Sequence, residues 1–94
     1  MTVDEFTASL ESNTPPNGLS LALQGLWHDG KGDWEAAHRC AQDQDDEKGA
    51  WVHAYLHRKE GDAVNAGYWY RRAGKPFSKA PFEIEWETIV MSLL

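Results

Sequence analysis

The chain has 94 residues, 26% of them charged, with nine basic and 15 acidic side chains and a formal net charge of −6. That length makes residues 1–94 a single domain with room for one modest core. The acidic balance argues against nonspecific binding to nucleic acid or anionic lipid, and no apolar run approaches the ~18–20 residues of a transmembrane helix.

Thr2 with Glu5 three residues later has the form of a capping box, so an opening helix is expected to about Glu11. The start lacks the basic and apolar regions of a signal peptide, which makes a cytoplasmic setting the expectation. Ser12 to Asn17 reads as a turn and helix start, with Thr14 as cap and Pro15 in the first turn. From there Leu19, Leu23, Leu26 and Trp27 recur at helical spacing up to His28. Asp29 to Gly32 ends that helix, and Asp33 caps a second one through Gln42. Its single cysteine, Cys40, cannot close an intramolecular disulfide and reads as a small apolar residue. After the polar link 43–47 a third helix covers about Lys48 to Glu60 and stops at Gly61. Asp62 caps a fourth from Ala63 to Ala73, ended by Gly74 with Pro76 beyond. Pro81 can open a closing helix that holds Ile84, Ile89, Val90 and Leu93. Strict alternation over residues 83–87 offers a strand as the alternative there, but no pairing partner is evident. The fold class is therefore all-α: two antiparallel helix–turn–helix hairpins, about 15–42 and 48–73, between N- and C-terminal flanking helices.

An offset of 29 residues lays the second hairpin on the first: His28 on His57, Gly32 on Gly61, Asp33 on Asp62, and Ala37 on Ala66. The glycine ends one helix and the aspartate starts the next, which makes a sharp corner. In the second hairpin Gly61-Asp62, Ala66, Tyr70 and Ala73 follow one another at the spacing of the second-helix signature of the tetratricopeptide repeat, which this chain resembles. Gly32-Asp33 and Ala37 match its beginning, whereas Ala41 and Gln44 depart from it, and the offset is shorter than that family's repeat. A second string, His53, His57-Arg58, Glu60-Gly61-Asp62, Asn65-Ala66 and Tyr68-Trp69, is similar to one in a group of small bacterial proteins of unassigned function. The first resemblance implies a concave surface lined by the first helix of each hairpin. By position, the second hairpin would place Lys48, Trp51, Tyr55, Arg58 and Lys59 there, and the first Leu19, Ala22, Leu26, Asp29 and Gly30.

Charge is segregated along the chain. Residues 48–79 carry Lys48, Arg58, Lys59, Arg71, Arg72, Lys75 and Lys79 against Glu60 and Asp62, a net +5, while the remainder is −11. Either oppositely charged elements attract within the fold, or a basic face receives an anionic group. An aromatic floor flanked by cations suits an extended segment with acidic side chains, because arginine can hold a carboxylate with two hydrogen bonds. Trp51 and Tyr55 could equally pack beneath a flanking helix.

On the third helix, steps of about 100° per residue put His53, His57 and Glu60 within one stripe about 60° wide. Two imidazoles at i and i+4 can reach one metal ion, with His38 the one tempting third ligand. Histidines hydrogen-bonded in a helix seam, or a polar pocket involving Asn65 and Arg71, are the competing readings. The glutamate of the zinc-protease helix is absent, and no serine elbow or phosphate-cradling loop appears. The expectation is a non-enzymatic module with no cofactor that binds a partner protein or acidic peptide. Its candidate residues are Trp51, His53, Tyr55, His57, Arg58, Lys59, Asn65 and Arg71. The alternative is a small metal- or ligand-dependent enzyme or binding protein centred on His53 and His57. Two hairpins are fewer than an array usually needs, so flanking helices or a second subunit, as in a homodimer, should cover their open faces.

Overall fold

The computed structural model describes all of residues 1–94, and every regular element in it is helical. The helices are α1 (Val3–Ala8), extended by a 3-10 turn at Ser9–Glu11, α2 (Leu21–Gly30), α3 (Trp34–Asp43), α4 (Glu47–Glu60), α5 (Ala63–Ala73) and α6 (Phe82–Leu93). None is long and apolar enough to cross a membrane. The alternating tail is thus a helix, capped at Pro81, whose first turn carries Glu83 and Glu85.

Local chemistry explains most boundaries. Thr2 and Glu5 form the reciprocal capping box, with each side chain accepting from the other's backbone N–H at 3.1 and 2.9 Å. Asp33, Asp46 and Asp62 accept from the N–H groups of Ala36, Gly49 and Asn65 and so start α3, α4 and α5. The two corners share one backbone path. Gly32 and Gly61 take φ of +83° and +91°, a region where a Cβ is strained. The N–H of Asp33 then donates to His28 O at 2.9 Å, and that of Asp62 to His57 O at 3.0 Å.

The second helix begins later than its sequence suggests. Thr14 and Pro15 do not open it; Ser20 caps it through Leu23 N–H, and the helix runs on to Gly30. Two consecutive prolines are followed by Gly18 at φ +83°, which breaks helical backbone, so residues 12–20 form a connection. The first hairpin accordingly starts at Leu21, not near residue 15. The polar link after α3 is structural as well. Gln44 Oε1 accepts from Ala22 N–H at 2.7 Å, which satisfies one of the free donors at the start of α2. A Cβ at Gly49 would collide with the backbone carbonyl of Gln44, so the tight approach of α4 to this link requires glycine.

Helix α2 packs on α3 and α4 on α5, while α6 lies across α2 and α4 and is met by α1. The main core forms there, from Phe6, Leu23, Leu26, Trp27, Val52, Tyr55, Leu56, Ile89 and Val90. Complete burial of each large apolar side chain contributes roughly 1.5–3 kcal/mol. Indole donors pin the layers together: Trp86 Nε1 donates to Leu26 O, and Trp34 Nε1 to Leu56 O, both at 2.9 Å. Cys40 is half-buried and burial raises its thiol pKa, in keeping with its reading as a small apolar residue.

Candidate functional site

The proposed concave surface is filled by the protein's own closing helix. Tyr55 is fully buried, and its hydroxyl donates to the buried Asp29 at 2.8 Å; Lys59 meets the same carboxylate at 3.1 Å. Arg58 donates to Glu85 of α6 through Nε and Nη2 at 3.1 and 2.8 Å. The second Glu85 oxygen accepts from Tyr70 at 2.6 Å. Burial, followed by the Glu85 carboxylate, pushes the Tyr70 phenol upward, so it stays a donor at neutral pH. Arg58 also donates to Ala80 O and stacks 4.3 Å from the Phe82 ring. On the first hairpin, Ala22 and Leu26 are core, and a Cβ at Gly30 would press on Leu10 and Trp86. A hollow of about 410 Å³ remains between α1, α6 and the hairpins, but its one cation is the Asp29-bound Lys59.

Trp51 behaves differently from its neighbours. It is half-buried beside α6 and separates two hollows of about 240 and 230 Å³, both lined by Trp51 and Lys75. The Lys75 ammonium lies 4.3 Å from the indole centroid, a cation–π contact, and Lys48 stands at the rim of the larger hollow. Lys48 and Lys75 have no ion-pair partner. Lys75 follows the C-terminus of α5, and only the fold carries it onto Trp51 of α4.

Three imidazoles meet on the opposite side of α4. His53 and His57, one turn apart, both face α3, where His38 lies with its Nε2 3.0 Å from His53 Nε2. The ring centroids of His38 lie 4.6 and 5.2 Å from those of His53 and His57. His53 and His57 are 4% and 6% exposed, values typical of a core residue. Trp34 stacks on His38 and Trp69 on His53, at 5.0 and 3.8 Å between centroids. Glu60, the third member of the stripe, takes His57 Nδ1 at 2.8 Å. Asn65 reaches His57 Nε2 at 3.4 Å, at the limit of a hydrogen bond. Burial first, then His38 and His57, pushes His53 down to about 4; burial likewise lowers His38. Both are therefore neutral at pH 7.

Of the eight candidate residues, His53, His57 and Asn65 thus come together. Tyr55, Arg58 and Lys59 are engaged within the fold, and Trp51 stands in a separate surface strip. Arg71 is exposed on α5 and joins neither group. The sequence did not point to the two indoles that flank the histidines. Trp69 follows Tyr68 in the aromatic run of α5, and Trp34 is the residue directly after the Asp33 cap. Compared with protein-family models, with curated proteins and with solved structures, the chain matches none.

Proposed function

We propose that this protein is a small tetratricopeptide-like module that binds a partner protein through an acidic peptide segment. The surface used is the strip of Lys48, Trp51 and Lys75 beside α6. The observation that carries this reading is the pair of unpaired ammonium groups around a half-exposed indole, between two shallow hollows. An extended segment can lay an apolar side chain on Trp51 while its carboxylates meet Lys48 and Lys75. Arg58 and Tyr70 hold Glu85 of α6 by the same kind of chemistry a short distance away. The matched corners at Gly32-Asp33 and Gly61-Asp62 support the repeat part of the reading. A cytoplasmic setting is part of it, since nothing in the fold depends on a disulfide.

The test is anisotropy of a labelled glutamate-rich peptide titrated with the protein at low and high salt. Binding should weaken with salt. A Lys48→Glu, Lys75→Glu double variant should bind at least about tenfold more weakly, a loss on the order of 1.4 kcal/mol. Equal binding by the double variant would remove the strip from consideration.

A further inference from the structure

The histidine cluster is not needed for the strip on the other side of α4, and its geometry has a chemistry of its own. One ring nitrogen from each of His38, His53 and His57 lies within 4.8 Å of the others. The His38 and His53 Nε2 atoms face each other directly at 3.0 Å. Only one of two such neutral rings can donate, and the third ring adds another nitrogen lone pair. With Nδ1 of His57 donating to Glu60, Nε2 carries that ring's lone pair, met only by the Asn65 amide at 3.4 Å. A carboxylate behind a histidine is the usual support of a metal ligand, because it sets the tautomer and raises the basicity of the other nitrogen. The Trp34 and Trp69 faces fix the planes of the other two rings.

We propose that His38, His53 and His57 form a binding site for one divalent transition-metal ion of the zinc type, with Glu60 supporting His57 from behind. Imidazole-only donor sets favour such borderline ions over magnesium or calcium, which take oxygen ligands. Zinc–nitrogen bonds of about 2.0–2.1 Å in a tetrahedron place ligand nitrogens about 3.3 Å apart. The His38–His53 pair is already near that spacing at 3.0 Å, and the third nitrogen, within 4.8 Å of both, has at most about 1.5 Å to close. Three protein ligands leave the fourth position for water or an exogenous donor. A cavity of about 190 Å³ reaches His53 and Trp69 between Asp45, Asp46 and Glu47, with Arg72 on its wall, and gives a cation an acidic approach.

Tag-free protein stripped with a chelator is titrated with zinc chloride by calorimetry, and the metal retained after dialysis is counted. The expected result is one zinc per chain, with a melting midpoint higher by roughly 10 °C at a hundredfold excess over Kd. Cobalt substitution should give the intense visible bands of a tetrahedral ion. His38→Ala should lower zinc affinity at least about a hundredfold and abolish those bands, while Glu60→Gln should lower affinity about 10- to 100-fold. If His38→Ala loses its helical circular dichroism, His38→Phe, which keeps a flat ring on Trp34, takes its place. Failure of the wild type to retain stoichiometric zinc would overturn the site, as would undiminished uptake in the His38 variant. A second group, His57, Glu60 and Asp62, is more exposed. Zinc lost in Asp62→Asn but kept in His38→Ala would assign the ion to that group and defeat the proposal.

Discussion

Helices α2 and α4 enter their corners along the same backbone path, yet several matching positions carry side chains of different character. Asp29 corresponds to Arg58, Gln24 to His53, and Leu26 to Tyr55. Near the end of α2 a buried carboxylate accepts from Tyr55 and Lys59; near the end of α4 a guanidinium donates to Glu85. The corner fixes direction only, and the element lying against each helix decides which side chain is buried. α4 follows a complete hairpin, so α3 covers its His53–His57 stripe and supplies His38. α2 follows only the 12–20 connection, where Gln24 Nε2 bonds Leu19 O and His28 remains half-buried without a hydrogen-bond partner. Equivalent stripes thus became a buried cluster in one hairpin and an ordinary surface in the other.

The charge inversion should give the largest effect. Arg58→Met removes a guanidinium only 13% exposed and leaves Glu85 buried with Tyr70 as its one donor. Denaturant unfolding should show a loss of about 3–5 kcal/mol, the range for breaking one side of a buried pair. A loss below about 1 kcal/mol would show that α6 is not clamped through Glu85.

The difference between Gln24 and His53 should appear as a pH dependence. The His53 pKa is lowered in the fold to about 4, so folding favours its neutral form. Its contribution is fully present above the unfolded value near 6.5 and is lost as pH falls through 4. Metal-free protein should lose about 3 kcal/mol across that window, with His38 and His57 the titratable groups against the ring. His53→Gln, which installs the residue of the matching position, should flatten this slope. An unchanged slope would assign the acid sensitivity to the carboxylates.

The likeness of the corners gives the smallest effect. A Cβ at Gly32 or Gly61 meets nothing within 4 Å, so alanine there is opposed by backbone conformation alone. Gly32→Ala and Gly61→Ala should each cost about 1–2 kcal/mol, and by the same amount within roughly 0.5 kcal/mol. Clearly unequal losses would mean that the two turns do not bear equal strain.

Much of this architecture was legible in local sequence. Aspartate caps, glycine stops and helical spacing marked α3, α4 and α5 closely, because each depends on groups only three or four residues apart. The start of α2 is a local matter as well: Thr14 and Pro15 have the form of a cap and first turn, but Gly18 interrupts the path and Ser20 caps instead. The shared stripe of His53, His57 and Glu60 was readable from helical period. The fate of the basic residues was not. Whether Arg58 faced solvent or a carboxylate depended on Glu85, 27 residues away, and on the side α6 would cover.

By itself, then, the sequence determined the helix class, the corners and the stripe that His53 and His57 share, since capping and periodicity act within one turn of chain. Tertiary structure alone decided that α6 would fill the concave side, that His38 would meet His53 at 3.0 Å, and that Lys75 would lie over Trp51. Those contacts join residues from separate elements, and their geometry follows from how the helices pack to bury Trp27, Tyr55 and Ile89.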